Sequence, residues 1–342
     1  MTLPLLIQSY DDAVAAILSE VRLAGPGDWV RLSVWILEPG ETSEELLSEL
    51  VAAAERGAEV LVSVDGTNAS LVQRLWERTV TLLPRVRRLA REVEHLSCVE
   101  RREPDHAKYA IFRSPARPTV AVWGGVNLGD RFRPWRDFVV RLEGPEAEAV
   151  ALKVLGEDPE FAYPPAEGAL TPVANVPASE RFEILPAFRA LVTDPAVTRV
   201  RFAMAYLDRT GVAEVLRPAL EAGVEVEFLL PGLANVYQDS NFMALETVLP
   251  EPGFRAFACP HMLHAKVALA YAGDELHCAF FGSANLKRYS LRYLGELNAF
   301  ARGIPLASEL EAATNALFAE SEPLELPIRY WRLKAIVEER LG

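Results

Sequence analysis

The sequence is poor in the marks of several protein classes. Its 342 residues hold three cysteines, Cys98, Cys259 and Cys278, odd in number and without a CxxC pair. Neither a disulfide framework nor a cysteine-rich zinc module is supported by that count. No apolar run of 18 or more residues is free of charge, which excludes an ordinary transmembrane helix. The opening MTLPLLIQSYDD lacks a basic stretch and has too short an apolar run for a secretory signal, so the expected location is cytoplasmic, or peripheral to a membrane. Cations are in deficit. Against 48 Asp and Glu stand 35 Lys and Arg, a net charge of −13, which opposes sequence-independent binding of nucleic acid but leaves room for a local basic cleft. Only five histidines are present.

What is present reads as globular. Half the residues are hydrophobic and 24% are charged. The length favours two domains with substantial cores. Residues 29–37, WVRLSVWIL, alternate as a strand, and a helix follows with a capping box Thr42-Ser-Glu-Glu45 and a stop at Gly57. Residues 59–66 read as a buried strand, and 11–23 as an earlier helix capped by Ser9 and Asp12. The same order returns as strand 198–208, helix 210–223 and strand 224–232. An offset of roughly 165 residues suits a duplicated domain rather than a solenoid. Between the copies, residues 156–180 are rich in Pro, Ala and Gly and lack periodicity. The expected organisation is therefore an N-terminal domain 1–155, a linker 156–180 and a C-terminal domain 181–342.

The polar motifs sharpen the duplication. His106-Ala-Lys108 is matched by His264-Ala-Lys266, and each His stands 21 residues before an Asn, in Gly124-Gly-Val-Asn127 and Gly282-Ser283-Ala-Asn285. Two apart on a strand, His and Lys point to one face, while Ala107 and Tyr109, or Ala265 and Val267, point to the other. One such set is a weak anion site. Two sets facing each other surround a phosphate with two Lys, two Asn and two His, an arrangement able to cleave a phosphodiester without metal. Cys259, His261 and His264 fall within six residues, but the spacing is poor for tetrahedral zinc, and no metal or other cofactor is expected.

These motifs resemble the phospholipase D superfamily, whose repeated signature is HxKxxxxD followed by GSxN or GGxN. Within it the chain looks most like the cardiolipin synthase branch, on the evidence of Pro260-His-Met-Leu-His264-Ala-Lys266, Gly282-Ser-Ala-Asn285-Leu, Ser290, Gly295-Glu296-Leu-Asn298, Trp135-Arg136-Asp137 and Arg141-Leu-Glu143-Gly-Pro145. The resemblance implies an α/β fold of two duplicated αβα sandwich domains with mixed sheets, packed about a pseudo-twofold in one chain, so that a monomer suffices for a complete site. It implies His106 as nucleophile and His264 as general acid, with Asp137 and Glu296 orienting the imidazoles. Lys108, Asn127, Lys266, Ser283 and Asn285 are the implied phosphate ligands. The implied activity is a phosphodiesterase or phosphatidyltransferase acting through phosphohistidine on a phospholipid such as phosphatidylglycerol. A nuclease of the same superfamily and a catalytically silent phosphate-binding scaffold remain as alternatives.

Several departures accompany the resemblance. The signature Asp falls seven residues after each His, where Arg113 and Tyr271 stand instead, and each His-to-Gly interval is 18 rather than the usual 14. The extra residues are expected in the turns 113–118 and 271–276, where Asp274 is a candidate to replace one lost carboxylate. The branch usually carries hydrophobic N-terminal segments, so another route to lipid is expected here. Phe132, Trp135, Tyr289 and Tyr293 lie among Arg131, Arg133, Arg136, Lys287, Arg288 and Arg292. Such interleaving suits a lipid interface, stacking on single-stranded nucleic acid, or plain core rings beside solvated arginines.

Overall fold

A computed structural model describes residues 4–65, 81–99 and 104–341. Two mixed β-sheets lie face to face with helices on their outer sides. The first has seven strands: β1 (Leu5–Ile7), β2 (Trp29–Val34), β3 (Glu59–Val64), β4 (Leu96–Cys98), β5 (Lys108–Arg113), β6 (Val120–Gly124) and β7 (Val139–Glu143). Their spatial order is β1-β7-β6-β5-β2-β3-β4, with β2, β3 and β4 parallel and the other pairings antiparallel. The second sheet repeats this plan. Its strands are β8 (Ala169–Val176), β9 (Arg181–Phe182), β10 (Arg199–Met204), β11 (Glu225–Pro231), β12 (Phe254–Cys259), β13 (Lys266–Ala272), β14 (Glu275–Gly282), β15 (Glu296–Arg302) and β16 (Glu322–Leu324). Within it β8-β15-β14-β13-β10-β11-β12 matches the first sheet strand for strand, with β9 and β16 added at the edges.

Alternation along the strands divides the core into layers. Ala107, Tyr109 and Ile111 face the second sheet, and Ala265, Val267 and Leu269 face the first. Trp123 of β6 stacks on Phe281 of β14 at 5.0 Å between ring centroids, joining equivalent positions of the two halves. Ala110 and Phe112 turn outward to helices Tyr10–Leu23 and Glu41–Glu55, and Ala268 and Ala270 to helices Ile184–Val192 and 209–221. Helices Pro145–Leu155 and Pro305–Ala319 close the layer between the sheets.

The local signals hold in part. Ser9 caps the first helix by accepting from Asp12 N–H at 3.0 Å. The capping box at Thr42 does not form. Asp130, brought in from a later loop, accepts from the N–H groups of Glu41 at 2.7 Å and Thr42 at 3.3 Å. Gly40 is the N-cap, since a Cβ there would lie 2.7 Å from the Asp130 carboxylate. The strand expected over 29–37 ends at Val34, because Ile36 N–H is taken by Asn127 and Leu37 bridges to Leu128. The second copy's elements fall at 199–204, 209–221 and 225–231, with a π turn over Val212–Leu216.

The expected linker is the largest correction. Residues 169–176 form β8, paired with β15 from Glu296↔Asn175 to Arg302↔Ala169. The strand is mostly buried, although β15 is its partner along most of its length on one side only. Strand β9 covers only Asn175 and Val176, so Pro172 costs no ladder hydrogen bond on that side. Asp274 is also corrected: it is exposed in the two-residue turn between β13 and β14, at the far end of the strand from Lys266.

Candidate active site

The two His-x-Lys segments meet where the halves exchange backbone. His106 N–H donates to Gly295 O at 2.8 Å, and Gly295 N–H to Pro104 O at 3.1 Å. Correspondingly, Arg136 N–H donates to Met262 O at 2.9 Å and His264 N–H to Arg136 O at 2.7 Å. Each histidine is therefore fixed to the segment of the opposite half that carries a carboxylate. His106 Nδ1 lies 2.9 Å from Glu296 Oε1, and His264 Nδ1 lies 2.6 Å from Asp137 Oδ2. Carboxylates only accept, so each Nδ1 carries the proton and each Nε2 presents a lone pair.

The glycines of the motif make these approaches possible. A Cβ on Gly124 would lie 2.2 Å from Phe138 O, and one on Gly282 2.2 Å from Leu297 O. At Gly125 a Cβ would fall 2.1 Å from Asp137 Oδ1. The equivalent Ser283 instead donates to Glu296 Oε2 and accepts from Leu297 N–H at 3.0 Å. Its one proton is thus given to the carboxylate, so Ser283 links the Gly-Ser-Ala-Asn turn to Glu296.

The lysines lie deep beside their histidines. Lys108 Nζ donates to His106 O at 2.7 Å, and Lys266 Nζ lies 3.0 Å from His264 Nδ1 while donating to His264 O. All four side chains are buried. Burial pushes Lys108 down to about 7 and Lys266 to about 8, although nearby carboxylates resist. Burial, then the Lys266 ammonium, pushes His264 to about 3, and burial likewise lowers His106. Burial alone would raise the Glu296 carboxyl, but His106, Lys108 and Ser283 hold it below the ordinary carboxylate range. The result is two neutral imidazoles, each between a carboxylate and a lysine whose ammonium is easily deprotonated. Asn127 fixes its amide by accepting from Ile36 N–H at 3.1 Å, leaving its NH2 for a ligand, and Asn285 Oδ1 is buried without a partner.

The chain is similar to known proteins in sequence and in fold. The family described as cardiolipin synthase, phospholipase D-like domain, matches residues 193–318. Cardiolipin synthase A of Pseudomonas aeruginosa, in strains LESB58 and UCBPP-PA14, is 32% identical over 221 residues, covering 58% of this chain and 44% of the relative. Over residues 193–318 the chain thus matches a phospholipase D-like domain, and it is similar to cardiolipin synthases. It spans under half the length of the cardiolipin synthases it matches. Two solved structures share the fold. Phosphatidylserine synthase of Haemophilus influenzae Rd KW20 aligns with a TM-score of 0.69 at 12% identity, over 99% of this chain and 91% of that one. Polyphosphate kinase of Porphyromonas gingivalis aligns with a TM-score of 0.64 at 17% identity, over 99% and 52%.

The phospholipase D-like frame explains where the missing aspartates would stand. Arg113 and Tyr271 lie five residues along β5 and β13 from the lysines, roughly 17 Å away at strand rise. Arg113 pairs with Glu148 at 2.6 Å and lies over the Trp29 ring, and Arg199 lies over the Tyr271 ring at 4.3 Å. Both positions belong to the strand ends, far from the imidazoles.

The aromatic and cationic cluster disperses. Phe132 is buried in the first core, and Trp135 packs on His264 at 5.0 Å. Lys287 is buried with Nζ 3.2 Å from the Tyr237 ring centroid, and Arg131, Arg133 and Arg292 pair with Glu38, Asp11 and Glu214. Tyr289 and Tyr293 alone of the four rings are exposed. Nor do Cys259, His261 and His264 converge, since His261 is half-exposed and faces Glu320 at 3.4 Å. Two aromatics were not singled out by spacing: Trp35 packs on His106 at 5.1 Å, and Tyr206 lies 6.1 Å from His264. Both follow strand ends, β2 and β10, which was the available signal. Among the described residues, no helix is long and apolar enough to cross a membrane.

Proposed function

We propose that this protein is a phosphodiesterase or phosphatidyltransferase acting on a phospholipid such as phosphatidylglycerol, through a phosphohistidine intermediate. The observation that carries the reading is the crossed pairing of His106 with Glu296 and His264 with Asp137, each imidazole beside its own lysine. Both halves of one chain supply the site, so a monomer is sufficient for it.

In the proposed sequence a phosphodiester enters with its non-bridging oxygens toward Lys108, Lys266, Asn127 and Asn285. Its negative charge raises both imidazole pKa values, which burial holds down in the empty site. His106 Nε2 attacks phosphorus, and the bond to the leaving alcohol breaks as protonated His264 gives that oxygen its proton. Neutral His264 then takes a proton from water or an acceptor alcohol, whose oxygen attacks phosphorus. The P–N bond breaks, and its electron pair returns to His106. Glu296 and Asp137 stabilise the imidazolium forms by holding Nδ1–H.

The test is lipid mass spectrometry after incubation with phosphatidylglycerol vesicles, beside His106→Asn and His264→Asn. Cardiolipin from wild type alone establishes transfer, and phosphatidic acid from wild type alone establishes hydrolysis. No change in lipid with wild type, or equal products from the His variants, overturns the reading.

A further inference from the structure

The two halves differ at one buried arginine. Arg201 of β10 and Arg31 of β2 occupy the same register position, opposite Glu227 of β11 and Leu61 of β3. In the second half Arg201 donates through Nε to Glu227 and through Nη1 to Asn315 at 2.7 Å, and it lies over the Phe318 ring at 5.0 Å. In the first half both polar partners are leucines. Leu61 replaces Glu227. Leu155 replaces Asn315 when helices Pro145–Leu155 and Pro305–Ala319 are aligned from their prolines. The first helix also ends four residues sooner, so it has no counterpart to Phe318.

Arg31 is nonetheless retained, and only 9% exposed. Its guanidinium lies over the Tyr109 ring, 5.6 Å from the centroid, and its Nε is buried without a hydrogen-bond partner. Beside Arg31 and Leu155 lies a cavity of about 350 Å³, bordered also by Tyr109, Val154, Val176 and Pro177. Asp105 and Glu296 border it too, but their oxygens are engaged: Asp105 by Ala107 N–H and Ser33, Glu296 by His106 and Ser283. A buried guanidinium N–H without an acceptor is costly. An anionic group placed where Glu227 stands in the other half removes that cost.

We infer that this cavity is a binding site for a small organic anion. Its carboxylate or phosphate oxygens meet Arg31, and its short apolar part packs on Val154, Leu155, Val176 and Pro177. The site is distinct from the paired histidines, on the opposite face of β5 from Lys108.

The test is calorimetry on the full chain with three probes: octanoate, hexyl phosphate and inorganic phosphate. Wild type is expected to bind at least one, and R31M to bind it about tenfold or more weakly, as loss of a charged hydrogen-bonding partner predicts. L61E keeps Arg31 but supplies the carboxylate internally, as in the second half. It is expected to fold, to melt higher than wild type and to lose the probe, so it decides the matter where R31M is unstable. K266M, altered in the catalytic pocket, is expected to retain the probe. Preference for octanoate or hexyl phosphate supports an occupant with an apolar tail, whereas equal binding of inorganic phosphate supports a free phosphate ion at Arg31. Binding that survives in R31M and L61E but disappears in K266M overturns the proposal, as does no binding by wild type up to about 10 mM.

Discussion

His106 and Glu296 are 190 residues apart in the chain, yet both carboxylate oxygens lie within 3.1 Å of the imidazole Nδ1. With the halves exchanged, His264 Nδ1 meets Asp137 through Oδ2 alone, at 2.6 Å. Each half thus supplies the imidazole of one pair and the carboxylate of the other, and neither imidazole is oriented without the partner half.

Glu296→Gln and Asp137→Asn are expected to slow turnover by about 10² to 10⁴ without abolishing it, because an amide neither stabilises imidazolium nor fixes the tautomer. His106→Asn and His264→Asn are expected to leave no turnover above background. Steady-state rates with phosphatidylglycerol vesicles measure both. A carboxylate variant as dead as a histidine variant contradicts the orienting role.

Gly125→Ala tests the geometry without touching a charged residue. Its Cβ would lie 2.1 Å from Asp137 Oδ1, so Asp137 must move off His264. The variant should fold, with kcat lowered toward that of Asp137→Asn. Ser283→Ala, which removes only the hydroxyl bonded to Glu296, should cost less, about tenfold. Equal kcat for Gly125→Ala and wild type shows that the Asp137 contact is dispensable.

The lysines set a pH dependence. Lys108 loses its proton as pH rises through about 7 and Lys266 through about 8, so kcat/KM, which reports the free enzyme, should fall on the alkaline side from about pH 7. Stability runs the other way. An unfolded Lys titrates near its ordinary 10.5, so between about 7 and 10.5 the unfolded chain holds more protons, and this contribution to stability rises with pH. Lys108→Met should therefore melt higher than wild type at pH 7 while losing activity, a gain on the order of 1 kcal/mol or more. A lower melting temperature shows that the lysine contributes to the fold.

Arg113→Asp restores one motif aspartate. Because that position lies at the far end of β5, kcat/KM should stay within about twofold of wild type. Loss of the Glu148 pair and the Trp29 contact should lower stability by about 1 kcal/mol. A large rise in activity would show that the absent aspartate limits this site.

Much of the fold and site was legible because its signals are local or repeated. The alternation of apolar residues in Val30, Leu32 and Val34 and the helix period in Leu46, Leu47 and Leu50 specify β2 and the following helix from neighbours alone. The matched spacing of His106 to Asn127 and His264 to Asn285 is visible in one dimension. Where the reading failed, a distant group had intervened. Asp130 displaced the capping box at Thr42, and β15 recruited residues 169–176 into the sheet. Lys287, among the cations expected at a surface, was buried against Tyr237.

By itself the sequence determined the duplication, the two-faced strands carrying His and Lys, and the four side chains that form the paired sites, since each depends on residue type and spacing along one strand. Only the tertiary structure decided which carboxylate meets which imidazole, that the Ser283 proton is spent on Glu296, and that Arg31 faces a cavity while Arg201 meets Glu227. Those relations depend on how two similar sheets pack against each other. Hydrogen bonds between groups more than a hundred residues apart leave no periodicity in the chain.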